Sequence, residues 1–325
     1  MGAVTSGAQT DIRMQKNLRR YIRLLGIIVF GIILWRIDLR SLVNILRNAR
    51  LEYLAGGLLL VLVILAIKSL RWRYLMHLQG INFSYWDTFL MFSAGIFWGV
   101  LTPARVGELS KALYLTKRGY SLGKASVSVV YDRLIDIFVL LLIGYGSMLA
   151  FLSVIERKTT YLIIILGLLA GIVIGLFLHP GSRERLRRLL FQILMPKTGH
   201  VKLKLNIDEF FESLKDYKLR HMTYPFALTA LSRSVYFSIT FLFAKSLSIP
   251  ISFFYNVVCV SFSTFMALLP ISVAGLGTRD ATLILLFSLV GLSKERAVGF
   301  AATILLMSVA AGTIGFFAWL KKPYA

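Results

Sequence analysis

The chain is expected to be an all-α integral membrane protein, an inverted-repeat bundle of about six full spans plus two re-entrant helical hairpins. Three observations predict this: a composition too apolar for a soluble domain, basic clusters whose positions violate simple alternation, and a long-period repeat. Of 325 residues 57% are hydrophobic and only 16% charged, which places nearly the whole chain in lipid. About 20 helical residues cross a hydrocarbon core. Apolar runs of that order recur at Tyr21 to Ile37, Tyr53 to Ile67, Ser84 to Leu101, Ala125 to Ile155, Thr160 to Leu178, Thr223 to Leu247, Ile251 to Leu269 and Ala297 to Leu320, with a shorter one at Ala281 to Leu292.

The net charge of +22 does not point to nucleic acid, because Lys and Arg flank the apolar runs instead of lining one soluble face. Such clusters set orientation and attract anionic headgroups. The first run follows Arg13, Lys16, Arg19, Arg20 and Arg23 with no small-residue cleavage site after it, which reads as a retained anchor with a cytoplasmic N-terminus. Cys259 is the one cysteine, and His77, His179, His200 and His221 lack ligand spacing, so neither a disulfide nor a metal site is expected, and no cofactor.

A second basic cluster lies in a polar linker, 179–222, with ten Lys and Arg. Full alternation from a cytoplasmic N-terminus would put it outside, against the rule that basic residues collect in the cytoplasm. The repair is a hairpin. Ser84 to Leu101 descends, turns at Thr102-Pro103 and returns through Ala104 to Thr116. Ile251 to Leu269 does the same from the opposite side, breaking at Pro270 to Gly277 and returning through Ala281 to Leu292. Both termini are then cytoplasmic, and the membrane is the cytoplasmic one. Arg36, Arg40, Arg47 and Arg50 fall in the external loop, expected as an interfacial amphipathic helix.

The repeat supports the same layout. Ser84-Tyr-Trp86 matches Ser252-Phe-Phe254, and Pro103 matches Pro270 as the helix breaker. Arg105-Val-Gly107-Glu108 matches Gly275-Leu-Gly277-Thr-Arg279-Asp280, and Gly119-Tyr-Ser121 matches Gly291-Leu-Ser293. Pseudo-repeats at about 20–155 and 160–322 within one membrane domain each hold an odd number of crossings, so they run antiparallel. Secondary transporters place a midplane site with this architecture.

Ionisable residues at membrane depth are costly and mark functional positions. Arg105, Glu108 and Lys111 lie on the first returning arm, and Glu108 is spaced to pair with Arg105. Asp132, Arg133 and Asp136 follow in the next crossing, Arg233 in the fifth, and Arg279 with Asp280 at the start of the second returning arm. The expected substrate-binding set is Arg105, Glu108, Lys111, Arg133, Arg233 and Arg279, with Asp132, Asp136 and Asp280 in coupling or pairing roles. Pro103, Gly107, Pro270, Gly275 and Gly277 form the hairpin tips, where helix amides and guanidinium forks suit a phosphate.

Leu101-Thr-Pro-Ala-Arg-Val-Gly-Glu108, Tyr131-Asp-Arg-Leu-Ile-Asp136 and Ala274-Gly-Leu-Gly-Thr-Arg-Asp280 resemble the flippase-like membrane domain of the lysylphosphatidylglycerol synthase family, whose TPaRxGE, (E/D)RxxD and GGxGxxE motifs recur in this order. The second hairpin departs from the pattern, with Ala274-Gly275 for Gly-Gly and Arg279-Asp280 near the acidic position. The resemblance covers nearly the whole chain and implies translocation of a lipid with a polar headgroup: an anionic phospholipid, a glycolipid or a polyprenyl-phosphate-linked lipid. Because the sequence stops at Ala325 after its last span, it is expected to lack the family's aminoacyl-transferase domain. The alternative is an integral membrane enzyme, or an accessory scaffold for a lipid-modifying enzyme, in phospholipid or glycolipid metabolism. No catalytic motif favours an enzyme: Gly119 to Ala125 is one residue too short between its glycines for a P-loop and has Ala125 where Ser or Thr would bind Mg²⁺.

Overall fold

The computed structural model describes residues 49–102, 105–149, 185, 201–267 and 277–321. Among these, nine α-helices and no strand are found: α1 (Leu51–Leu78), α2 (Tyr85–Leu101), α3 (Lys111–Thr116), α4 (Leu122–Leu149), α5 (Val201–Ser213), α6 (Thr223–Ser246), α7 (Phe253–Met266), α8 (Thr278–Ser288) and α9 (Lys294–Lys321). The chain is an all-α membrane protein. Three of the described helices, α1, α6 and α9, are long and apolar enough to cross a bilayer. Helix α4 is equally long but carries Asp132, Arg133 and Asp136. The expected crossings at Tyr21 to Ile37 and Thr160 to Leu178, and Arg36, Arg40 and Arg47 of the expected interfacial helix, lie outside the described residues.

Helix α1 differs from its apolar run. It does not stop near Ile67 but continues to Leu78, carrying Lys68, Arg71 and Arg73 in its second half. The charges are tolerated because Lys68 and Arg71 reach carboxylates on α4 at 2.7 and 2.8 Å, while Arg73 bonds the Phe83 carbonyl near the helix end. Helices α1 and α6 pair antiparallel: the Arg50 amide donates to Ser246 at one end, and Tyr74 meets Tyr224 edge-on at the other.

Both hairpins start alike. The Ser84 hydroxyl accepts the Asp87 amide at 3.1 Å, and the Ser252 hydroxyl accepts the Tyr255 amide at 3.1 Å, each satisfying an orphan donor of the first turn. The first arm α2 is followed by a 3₁₀ turn, Val106–Ser110, and then α3. This return packs back along α2: Glu108 lies against Gly99 and Lys111 against Gly95. The second pair, α7 and α8, also runs antiparallel, with the Tyr255 hydroxyl donating to the Leu286 carbonyl.

Helix α2 packs along α9, where Phe97 stacks on Trp319 at 5.6 Å and Val100 faces Gly312. Its counterpart α7 packs against α4. The first helix of each antiparallel pair thus packs against a long helix from the other end of the chain. The main core runs through α1, α2, α6, α7, α8 and α9, with α3 and the start of α4 adding Leu115 and Ala125.

The second basic stretch is folded where it is described. Helix α5 lays Ile207 and Phe211 with Leu214 against Leu75, Val127, Tyr131 and Ile135. Tyr131 and Tyr217 stack at 4.1 Å, 9° from parallel, and the Tyr217 hydroxyl donates to the Leu75 carbonyl at 2.9 Å. Burial pushes the Tyr217 phenol well above its usual range.

Candidate functional site

The first hairpin tip is held by its own sequence. The Thr102 hydroxyl donates to the Trp98 carbonyl at 3.0 Å and accepts the Gly107 amide at 2.7 Å. A Cβ at Gly107 would overlap the Trp98 carbonyl, so only glycine lets the return press this closely. Arg105 sits between them with φ 56° and ψ 31°, a left-handed conformation that costs a non-glycine residue about 1 kcal/mol or more. That turn orients its guanidinium back over Glu108, at 3.9 Å. Pro103, Pro270 and Gly275 lie outside the described residues. Gly277 precedes α8 with φ 86°, and its amide donates to Asp280 at 3.0 Å.

Behind the tip lies a buried ionic network across four helices. Arg71, 1% exposed, donates Nε to Asp132 Oδ1 at 2.8 Å, and Nη1 to Asp136 Oδ1 at 2.8 Å and to Thr229 Oγ1 at 2.7 Å. Asp132 and Asp136, one helical turn apart, thus present both carboxylates to one fork. Lys111 Nζ reaches Asp132 Oδ2 at 2.8 Å and lies 4.4 Å from the Phe92 ring centroid, a desolvated cation over an aromatic face. Lys68 Nζ binds Asp136 Oδ2 at 2.7 Å, and Arg233 donates to the Asp136 carbonyl at 3.0 Å. Glu108 accepts Arg133 at 3.3 Å.

A cavity of about 140 Å³ opens between these groups and the second hairpin. Its charged lining comprises Lys68 of α1, Arg105 of the first tip, Arg133 and Asp136 of α4, Arg233 of α6 and Arg279 of α8. Val100, Leu140, Ile304 and Met307 give it apolar walls, and Ser232, Tyr236, Thr264 and Ser308 add hydroxyls. Asp136 and Arg233 stand near the middle of their long helices, so the cavity lies at the depth of the bundle's centre. Arg279 binds its neighbour Asp280 at 3.0 Å and the Ala301 carbonyl at 3.3 Å. The Arg233 Nε is buried with no hydrogen-bond acceptor, a donor with capacity left for a ligand.

Of the residues expected from sequence, the cavity unites Arg105, Arg133, Arg233, Arg279 and Asp136. Glu108, Lys111, Asp132 and Asp280 are not on its lining. Lys111 and Asp132 face each other inside the network, Glu108 supports Arg105 and Arg133, and Asp280 caps α8 while holding Arg279. Lys68 and Arg71 were not in the expected set. A signal existed: they are spaced i and i+3, matching the i and i+4 spacing of Asp132 and Asp136, so both pairs share a helical face. Among the described residues no cluster of His, Cys, Asp or Glu has the makeup of a metal site.

The chain is 28% identical over 272 residues to a UPF0104 membrane protein of Methanocaldococcus jannaschii, covering 78% of this chain and 79% of that one. It is 24% identical over 305 residues to a UPF0104 membrane protein of Pyrococcus horikoshii, covering 86% and 90%. No solved structure matches it. The model of the lysylphosphatidylglycerol synthase TM region matches residues 23–315, a stretch that includes the tip, the network and the cavity; the chain belongs to that family of lipid-related membrane proteins.

Proposed function

We propose that this protein moves a lipid with an anionic headgroup between the leaflets of the cytoplasmic membrane. One observation carries the reading: among the described residues, five cations from five segments and a single carboxylate line a cavity at bundle mid-depth. Desolvated guanidinium groups bind phosphate oxygens bidentately, and the apolar walls suit the carbons next to a headgroup. Antiparallel halves around a midplane site are the architecture by which transporters open to each side in turn.

The end of the bundle holding Arg73, His77, Arg118, Lys124, Lys215, Lys218 and Arg220 is then cytoplasmic, by the excess of basic residues there. Lys321 lies at the same end, because α9 runs antiparallel to α2, with Gly315 against Ser93 and Gly312 against Val100. Membrane lipids are the partners in this reading, and transport needs no cofactor or enzymatic step.

The test is reconstitution into vesicles carrying a trace of fluorescent anionic lipid, with a membrane-impermeant quencher reporting exchange. Exchange in wild-type vesicles above empty ones, lost in Arg105→Ala and Arg279→Ala variants that still fold, is the expected result. Equal quenching with and without protein overturns the transport reading. A scaffold for a lipid-modifying enzyme predicts that these substitutions change nothing.

A further inference from the structure

We propose that the cavity selects a lipid whose headgroup carries at least two negative charges, a phosphate monoester or a diphosphate, over phosphodiester and zwitterionic lipids. The inference rests on the transport reading above and names its substrate class.

Charge balance carries it. Arg71 and Lys111 together match the formal charges of Asp132 and Asp136, the latter also standing on the cavity lining and holding Lys68 at 2.7 Å. The cavity lining then holds Lys68, Arg105, Arg133, Arg233 and Arg279. Against these five stand Glu108 and Asp280, each bound to one or more of them. Among the described residues the site thus has a surplus of three formal positive charges at a depth where uncompensated charge is costly. The unoccupied Arg233 Nε donor faces the same requirement in hydrogen-bond terms.

A zwitterionic headgroup leaves the surplus intact, and a phosphodiester removes one charge. A phosphate monoester approaches two negative charges above its second ionisation, near about pH 6, and a diphosphate carries more. The multiply charged headgroups are therefore the ones the lining matches. Ile96, Val100, Leu140, Ile304 and Met307 wall the same space, which favours a lipid-borne phosphate over a free one.

The experiment compares acyl-labelled phosphatidic acid, phosphatidylglycerol and phosphatidylcholine in vesicles of reconstituted full chain, with rates in empty vesicles subtracted. At pH 7.5 phosphatidic acid should exchange about tenfold faster than phosphatidylglycerol, and the advantage should shrink at pH 5.5, where the monoester loses its second charge. Lys68→Gln and Arg233→Gln should each reduce the preference, and Lys68→Arg should retain it, with gel filtration confirming fold. Glycerol phosphate at the same bulk concentration should leave the lipid flux unchanged.

Equal rates for phosphatidic acid and phosphatidylglycerol, in protein that does transport, overturn the charge selection while sparing the transport reading. Exchange of none of the three overturns both. Strong inhibition by glycerol phosphate overturns the lipid assignment and makes the site one for a free phosphate ester.

Discussion

Arg71 clasps Asp132 at three points: Nε to Oδ1 at 2.8 Å, Nη2 to Oδ1 at 2.6 Å and Nη2 to the backbone carbonyl at 3.2 Å. The same guanidinium holds Asp136 and Thr229, so one side chain of α1 ties α4 to α6. Every donor direction of the fork towards these helices is used, which makes Arg71 the joint around which the cavity is built.

Arg71→Met is expected to destabilise the fold by about 3–5 kcal/mol, because it leaves two buried carboxylates short of a partner. Arg71→Lys should recover only part of that, since an ammonium cannot span both carboxylates and the carbonyl. Thermal unfolding in detergent measures this; a Met variant as stable as wild type would show that the clasp is incidental.

Gly107→Ala should damage the first hairpin, because the new methyl meets the Trp98 carbonyl, which is backbone and cannot move aside. Gly144→Ala, in α4 with open space around it, should be neutral or stabilising by up to about 1 kcal/mol, as helix propensity favours Ala. Comparing the two by thermal unfolding separates a packing requirement from a general intolerance of alanine.

The hairpins and the buried charges were legible in the sequence for definite reasons. Charges inside an apolar run stand out: Arg133 and Arg233 lie within the runs Ala125 to Ile155 and Thr223 to Leu247, and Arg105 and Arg279 lie just beside such runs. Lys68 and Arg71 were hidden because they follow the end of the run at Ile67, with Arg73 close behind, and so look like an ordinary juxtamembrane anchor. In the helix these residues part company: Arg71 faces the carboxylates, whereas Arg73, two positions on, points away from that face. The matched Ser84 and Ser252 proved to be N-caps in both halves. The folding of Val201–Ser213 onto α4 was not anticipated, since its basic composition masked an apolar face formed by Ile207 and Phe211.

Trp86, 71% exposed, and Phe254 stand at the mouths of the two hairpins, where aromatic residues favour the interface. If the halves are inverted in the bilayer, Trp86→Cys and Phe254→Cys should react with an impermeant thiol reagent from opposite sides of sealed vesicles. The native Cys259 is fully buried and should stay silent. Labelling of both from one side would rule out the inverted arrangement.

Tyr217→Phe removes the hydrogen bond to the Leu75 carbonyl while keeping the stack on Tyr131. A loss of about 1 kcal/mol is expected, together with faster proteolysis of the 201–222 segment. Unchanged protease resistance would mean the stack alone holds that segment in place.

The most direct measurement is the accessibility of Ser308, a cavity-lining residue on α9, in a Ser308→Cys variant reconstituted in lipid. A cavity that receives headgroups at mid-depth predicts modification by a small, charged thiol reagent and protection by added anionic lipid, against a background of unreactive Cys259. A Ser308→Cys thiol as inert as Cys259 under all lipid conditions would contradict a headgroup site within the bundle.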